Sequence, residues 1–572
     1  MRRWIRTWGL FAFLLSASLI LAFASRGSRA QEQPPSPLVT GTIQDSQDQP
    51  VEGATVQLGA EAEGEALAEA VTQSNGRYAL PAPQDLPDNL FVQISRAHFE
   101  EDVVALSAAD IQNLRNGESV VVGITTLPRR ITPAFWIAAL IFVAMLVLIA
   151  TGTLHNTLAA LLGASLVFFV SYLGEPLMED LFIFGFDRAL QYVDWNVIFL
   201  IMGMMIVIAV VERTGIFQWL AYMAYRLSGG RLWLLLPILM IVTGVASALL
   251  DNVTTMLLMT PITIQISLAL GINPLALLMP EVMASNVVGI STLIGTPTNI
   301  LIGSFADISF NDFLVNLTPG VVLAMIGLVL YSEFVYRKEI LAPGKGEISP
   351  LLLEKLEERA QITQPGHLRK AAVVGTGMIL LFVFGERIHL LPAVTAIMGA
   401  TALLVWIRPD IEEMIEAVDW TTLVFFITLF IVVGGIQEVG LISLVATGIG
   451  DLVGENLILA MFVVTWFSAV LSTVIANIPF TAAMLPVVGY LTATIPGAGN
   501  KVLFYCLSVG SAMGGNGSLI GASANMVTAG IAERAGQPIT YLYFIKKGFP
   551  ALILTVALAM VWLLIRFLVL AG

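Results

Sequence analysis

The chain is poor in cysteine, histidine and charged residues, and each shortage argues against a class of function. Its one cysteine, Cys506, lies in an apolar run, so the 572 residues hold neither a disulfide framework nor a cysteine metal site. The four histidines are not spaced like ligands, which argues against a metal centre. The sequence contains no phosphate-binding GxxxxGK(S/T) motif and no group of nucleophile, base and acid. We therefore expect no direct ATP drive, no enzyme activity and no organic cofactor.

Apolar residues take the place of the missing charge. Only 12% of the residues are charged and 57% are hydrophobic, with a mean hydropathy of +0.85, whereas about 25% of a soluble protein is charged. Most of the chain must therefore lie in a lipid bilayer. The net charge of −13 includes many carboxylates in the first 120 residues and in loops, so it does not indicate a nucleic-acid partner.

The first 30 residues have the layout of an export signal. Arginines precede an apolar run at 8–23, and small residues end at Ala30. An uncleaved signal anchor fits equally, because a run of about 17 apolar residues is at the short end of a spanning helix. Residues 31–130 are then a Pro/Gln/Ser linker and short alternating segments, such as 39–43 and 54–58, which predict a small extracytoplasmic β-sandwich.

The remaining chain contains an internal repeat. The motif Val193-Asp194-Trp195 recurs 225 positions later as Val418-Asp419-Trp420. The same offset carries Ser247, Asn252, Met259 and Pro261 onto Ser472, Asn477, Met484 and Pro486. An offset longer by one residue matches a second set, in which Ser285, Gly289, Leu293, Ile294, Gly295 and Asn299 correspond to Ser511, Gly515, Leu519, Ile520, Gly521 and Asn525. Polar residues would not stay in register by chance, so we predict transporter repeats at 131–336 and 371–572.

Each repeat has an odd number of predicted crossings, so the second copy must enter the membrane from the opposite side. Spans are predicted near 134–151, 155–173, 196–211, 275–303 and 315–335, and near 371–388, 391–407, 421–437, 502–530 and 550–571. Lys and Arg residues cluster at 213–231, in the linker 337–370 and in the C-terminal segment, which we place in the cytoplasm. The counterpart of the first cluster, 438–456, has none. The sequence predicts an all-α polytopic protein of the inner (plasma) membrane with two inverted repeats, plus the N-terminal β-sandwich.

Polar and glycine residues interrupt the apolar runs at symmetric positions. The runs around 247–261 and 472–486 predict re-entrant hairpins with tips at Asp251-Asn252 and Asn477, and the runs at 286–299 and 514–525 predict unwound breaks in helices. Free backbone groups and small polar side chains at such breaks can bind ions. For any one of these residues, close packing between helices is nearly as good an explanation as ion binding. It is a poorer explanation for four such clusters in symmetric positions.

The predicted ion site takes its residues from all four clusters. They are Asp251, Asn252, Thr254, Thr255, Asn286, Ser291, Thr292, Thr296, Asn299, Asn477, Thr481, Asn516, Ser518, Ser523 and Asn525. Ionisable residues at membrane depth are functional candidates, so Asp251 and Glu281 are each a candidate proton carrier or cation ligand. Glu212 and Glu438 lie at helix ends, where we expect solvation.

These segments carry a family resemblance. The segments SALLDNVTTMLLMTPITI (247–264) and GGNGSLIGASANMVTAGIAE (514–533) resemble the ion-transporter superfamily of citrate-transporter-like permeases, in particular its melanosomal P-protein and arsenite-permease branch. The Ser-Asn-Thr tips of its sodium-coupled carboxylate carriers read Asp251-Asn252-Val253 and Ala476-Asn477-Ile478 here. The resemblance implies a homodimer with a fixed scaffold and a moving part.

The exported segment carries a separate resemblance. The runs at 41–58 and 74–80 resemble the carboxypeptidase regulatory-like domain, which implies a structural role or the binding of an extracytoplasmic partner.

The predicted function is secondary active transport of a small ion. We rank an anion first, coupled to a proton or sodium gradient. Sodium/proton exchange comes second, followed by arsenite or di- and tricarboxylate transport. A membrane-anchored sensor is the alternative from another class, and it would tolerate replacement of Asn252 and Asn477.

Overall fold

The computed structural model describes residues 37–46, 48–62, 64–83, 85–341, 357–358 and 361–570. The predicted export signal and much of the predicted cytoplasmic linker lie outside these ranges. The chain divides into two compact units between Arg130 and Ile131.

The first unit is a β-sheet domain. Its strands are β1 (Leu38–Asp45), β2 (Thr55–Gly59), β3 (Ala66–Val71), β4 (Arg77–Pro81), β5 (Phe91–Ser95), β6 (Asp102–Ala105) and β7 (Val120–Leu127), with helix α1 (Ala108–Arg115) before β7. One sheet has the order β4-β1-β7, and the other has the order β3-β2-β5-β6. Alternate residues of β1 and β2 are buried, and both sheets contribute to one apolar core. The predicted small β domain is confirmed.

The first half of the second unit runs through ten helices. They are α2 (Pro133–Thr151), α3 (Asn156–Phe169), α4 (Phe186–Gln191), α5 (Trp195–Glu212), α6 (Ile216–Ser228), α7 (Leu232–Leu249), α8 (Asn252–Ala269), α9 (Leu275–Gly289), α10 (Pro297–Ala306) and α11 (Phe310–Val335). A short helix α12 (Arg337–Leu341) follows.

The second half repeats this order helix for helix. It consists of α13 (Pro365–Phe384), α14 (Pro392–Ile407), α15 (Ile411–Glu416), α16 (Trp420–Glu438), α17 (Leu441–Val453), α18 (Leu457–Leu471), α19 (Asn477–Thr494), α20 (Val502–Gly514), α21 (Ser523–Arg534) and α22 (Tyr541–Leu564). Packing partners repeat as well: α5 packs on α14 as α16 packs on α3, and α7 packs on α9 as α18 packs on α20.

Nine helices of the described ranges are long and apolar enough to cross a membrane. The predicted spans at 275–303 and 502–530 are each two short helices separated by an irregular segment, as the glycines there indicate. Helices α7 and α8 have 18 residues each, or about 27 Å at 1.5 Å per residue. This length also suits a full crossing, so a re-entrant course for this pair stays a prediction.

Two ion pairs join the repeats at related positions. In each pair the arginine lies in the first repeat and the glutamate in the second. Arg188 on α4 pairs with Glu438 at the end of α16 at 3.4 Å, and Tyr192 also donates to Glu438. At the repeat-related positions, Arg213 at the end of α5 pairs with Glu413 on α15 at 2.5 Å. The Glu438 side chain is only 4% exposed. The expectation that solvent accounts for Glu438 is therefore wrong, because Arg188 and Tyr192 compensate its charge instead.

Candidate functional site

The two predicted tips lie where helices break, but their ends are built differently. Asp251 is the N-cap of α8, and its carboxylate accepts a hydrogen bond from the Thr254 backbone N–H at 2.8 Å. At the repeat-related helix α19, Ala476 has no side chain that could cap the helix. The first tip therefore places a carboxylate on the α8 N-terminus, while the α19 N-terminus has no such group.

The other two breaks need glycine because backbone segments pass very close together. A Cβ atom built on Gly295 would lie 2.3 Å from the carbonyl oxygen of Gly289. In the second repeat, a Cβ atom on Gly521 would lie 2.8 Å from the carbonyl oxygen of Ser472 and 2.9 Å from that of Gly515. Each loop is thus folded against the neighbouring hairpin, which requires residues without side chains at these points.

A hydroxyl group fastens each loop to its hairpin in the same way. Thr292 donates to the carbonyl oxygen of Ala248 at 2.5 Å and accepts from the Gly295 backbone N–H at 3.1 Å. Its counterpart Ser518 donates to the carbonyl oxygen of Thr473 and accepts from the backbone N–H of Gly521. The repeat therefore conserves a contact as well as a sequence pattern within the chain.

A chain of buried asparagine amides connects the two repeats. Asn252 donates to Oδ1 of Asn286 at 2.9 Å, and Asn286 donates to Oδ1 of both Asn516 (2.9 Å) and Asn525 (3.0 Å). All four side chains are at most 4% exposed. The Oδ1 atom of Asn252 is buried without a hydrogen-bond partner. Asn286 thus links a tip of the first repeat to the broken helix of the second.

Asn299 and its counterpart Asn525 support the backbone of the breaks. Asn299 donates to the carbonyl oxygens of Ile290 and Thr292, both at 2.8 Å, and accepts from Ser508 of the other repeat at 2.6 Å. Asn525 donates to the carbonyl oxygens of Gly515 and Ser518. These amides satisfy carbonyl groups that the unwound helix leaves without helical partners.

A cavity of about 420 Å³ lies where these breaks meet. It is lined by the first residues of six helices (α3, α8, α10, α16, α19 and α21) and by the second half of α5. Both tips contribute, through Asp251 and Ala476. The end of α5 at Glu212 and the start of its counterpart α16 at Asp419 line the same cavity, while the inverted course of the two repeats in the membrane stays a prediction.

A second cavity, of about 530 Å³, lies at the other end of α5. Its wall contains Asn196, Val197 and Leu200, whose repeat-related positions Thr421, Thr422 and Phe425 line the first cavity. Ile300 lines both cavities. Among the described residues, neither Asp251 nor Ala476 lines this second cavity, so only the first of the two cavities reaches the hairpin tips.

The predicted site residues fall into three groups. Asp251, Thr254 and Ser523 line the first cavity. Asn252, Asn286, Asn516 and Asn525 form the amide chain, while Thr292, Asn299 and Ser518 hold the breaks. The remaining residues form other hydrogen bonds. The hydroxyl groups of Thr255, Thr481 and Ser291 donate to the backbone carbonyl groups of Asp251, Asn477 and Val288, and the hydroxyl of Thr296 bonds to that of Thr298. The backbone N–H of Asn477 donates to the carbonyl oxygen of Gly521.

Glu281 is fully buried and does not line the cavity.

Sequence reasoning missed several residues of the cavity wall. Glu212 is exposed, as expected at a helix end, and it also lines the cavity together with Asp419 and His155. The repeated Val-Asp-Trp motif could have indicated Asp419, because it places an acidic N-cap at the start of α16. With Asp251, the wall holds three carboxylates, and it includes no Lys or Arg of the described residues.

Fold and site together define a multi-pass membrane transporter built from two repeats. The chain belongs to the citrate transporter family, whose model matches residues 145–503. The model of the carboxypeptidase regulatory-like domain matches residues 38–118, so both resemblances are confirmed.

Relatives of this chain are found in bacteria and mammals. An uncharacterized transporter of Mycobacterium tuberculosis is 37% identical over 435 residues, 76% of this chain and 99% of the relative. An uncharacterized transporter of Synechocystis is 31% identical over 450 residues, 74% of this chain and 96% of the relative. The P protein of Homo sapiens is 32% identical over 507 residues, 75% of this chain and 59% of the relative.

Proposed function

We propose that this transporter is a secondary active carrier of a small ion, with its substrate site in the 420 Å³ cavity. One observation carries the proposal: both hairpin tips and both helix breaks reach this single cavity. Discontinuous helices that meet near one site are the usual way in which repeat-built carriers bind substrate. The second cavity, which shares Ile300 with the first, supports alternating access from two sides.

The difference between the tips supports an anion as substrate and a cation as its partner. Helices α19 and α21 begin at the cavity without a side-chain cap, so their N-termini can attract an anion. The N-terminus of α8 is already occupied by the Asp251 carboxylate. We therefore assign the anion to the side of Ala476 and Ser523, and the coupling proton or sodium ion to Asp251.

Sodium/proton exchange is the second candidate. Asp251, Glu212 and Asp419 line the cavity without a Lys or Arg in its described wall. Such a wall attracts cations and repels anions unless some of the carboxyl groups are protonated. A carrier with this charge distribution could exchange two cations and carry no anion.

Flux into proteoliposomes tests these candidates. The purified chain is reconstituted and offered chloride, arsenite, sodium, succinate or citrate, each with and without a proton gradient. Anion transport predicts saturable uptake of one anion that the gradient accelerates. Sodium/proton exchange predicts sodium flux that collapses the proton gradient when no permeant anion is present. The transporter proposal fails if no solute moves under any gradient, and the sensor alternative then gains support.

Replacement of Asp251 with Asn tests the assignment of the coupling ion. The variant keeps the size of the side chain and an oxygen that can cap α8, but it cannot bind or release a proton. We expect the dependence of flux on the proton or sodium gradient to be lost. Asp451→Asn, an exposed position on α17, is the matched control and should leave coupling intact. Unchanged coupling in Asp251→Asn would remove this residue from the mechanism.

A further inference from the structure

A buried carboxyl group lies outside the cavity, between three helices of the first repeat. Glu281 is two turns into α9 and is 0% exposed. Thr243 on α7 donates a hydrogen bond to its Oε1 atom at 2.7 Å, and Thr263 on α8 places a second hydroxyl beside the carboxyl. The Glu281 Oε2 atom and the Thr263 hydroxyl are both buried, and neither has a partner within hydrogen-bonding geometry.

No described cation compensates this carboxyl group. Helices α7 and α8 contain no charged residue, and Asp251, before α8, is twelve residues from Thr263, about 18 Å along the helix. The other helices packed on α9 (α11, α20, α21 and α22) also carry titratable residues, and none of them forms a hydrogen bond or a salt bridge with Glu281. These residues are Asp312, Tyr331, Glu333, Tyr505, Cys506, Glu533, Arg534, Tyr541, Tyr543, Lys546 and Lys547. An uncompensated charge at this depth would be strongly unfavourable, so the site favours a neutral acid.

The second repeat shows that packing alone does not require this carboxyl group. The repeat-related position of Glu281 is Leu507, and that of Thr263 is Val488. Both are buried within the same helix arrangement. The position of Thr243 is taken by Ser468, whose hydroxyl is buried without a partner. The first repeat thus has a carboxyl and a hydroxyl group where the second repeat has apolar side chains.

We propose that Glu281, Thr243 and Thr263 form a buried proton-binding site that is separate from the tip at Asp251. The proton resides on Oε2, from which it can donate to the Thr263 hydroxyl, while Oε1 accepts from Thr243. This arrangement pairs the two atoms that now lack partners and leaves the site neutral. The use of this proton as a second coupling ion rests on the proposed transport function, but its binding does not.

Infrared spectroscopy of the full chain in liposomes tests the site without any transport. The spectrum of the wild type minus that of Glu281→Gln at neutral pH should contain a C=O band of a protonated carboxylic acid. The same band should persist in Asp251→Asn. A second variant, Glu281→Leu, controls for a folding defect specific to glutamine. It places at this position the leucine that the second repeat has at Leu507, so it should fold and should also lack the band.

Two results would overturn the proposal. One is a wild-type spectrum without a carboxylic acid band that depends on Glu281, which would show a carboxylate at this position. The other is loss of the band on addition of sodium at constant pH, which would make the group a sodium ligand. A carrier that moves no solute but retains the band would contradict the proposed function and leave the proton site standing.

Discussion

Asn286 is the amide on which the contact between the two repeats depends most heavily. Its side chain makes three hydrogen bonds, one with Asn252 and two with amides of the second repeat. Replacement with alanine removes all three and leaves the buried partner atoms unsatisfied. Measured hydrogen bonds between membrane helices average about 0.6 kcal/mol, whereas an unsatisfied buried group costs about 1–3 kcal/mol. We therefore expect Asn286→Ala to lower the free energy of unfolding by at least about 2 kcal/mol, the value for three such bonds, and by more because the partner atoms stay unsatisfied.

Unfolding in mixed micelles, with the denaturing detergent fraction increased stepwise, measures this loss. Asn196→Ala removes an amide of the same size from an exposed position at the start of α5 and serves as the control. A loss of stability in Asn286→Ala no larger than that in Asn196→Ala would show that the amide bonds do not stabilise the contact between the repeats. It would mean that the amide chain positions backbone segments without contributing to stability.

Three further predictions concern other parts of the chain. Gly295→Ala should abolish transport, because its Cβ atom would lie 2.3 Å from a backbone oxygen, whereas flux assays of Gly377→Ala, which has open space around it, should match the wild type. Replacement of Arg188 with Met should destabilise the membrane unit by about 2–4 kcal/mol by leaving the Glu438 carboxyl buried with one partner fewer, and the exchange Arg188→Glu with Glu438→Arg should restore part of the loss in the same unfolding assay. Burial raises the pKa of Tyr78 from 10.0 to about 12, so the folded N-terminal β-sheet domain keeps this proton to a higher pH than the unfolded chain does. Its stability should be complete below pH 10 and fall by roughly 2–3 kcal/mol as the pH rises to about 12, and thermal unfolding of Tyr78→Phe should lack this decline.

Much of the architecture could be predicted because matched polar and glycine residues mark the two copies of the repeat. Asn252, Gly295 and their counterparts stand out against apolar helices, so the four breaks and their pairing were visible in the sequence. The sequence did not indicate which residues of one repeat form hydrogen bonds with residues of the other repeat. Asn286 bonds to Asn516 and Asn525, but the position related to Asn286 is Ala512, so symmetry alone gives no counterpart for this contact.

The acidic residues show a second limit of sequence reasoning. Glu212 and Glu438 both lie at the ends of apolar helices, where solvent is the simplest expectation. Glu212 is exposed as expected and also lines the cavity. Glu438 is instead buried against Arg188, because α4 and α16 belong to different repeats and meet only in the folded protein. The environment of a charge at a helix end depends on contacts between distant segments, which hydropathy does not encode.

The coupling of ion movement to a proton or sodium gradient can be measured directly. Proteoliposomes that contain a pH-sensitive dye are given a gradient of the transported ion but no initial pH difference. We expect the wild-type protein to move protons, or sodium in the matched sodium assay, against their own gradient, and Asp251→Asn not to do so. Equal, uncoupled leakage of ions in the wild type and in the variant would contradict coupling through Asp251.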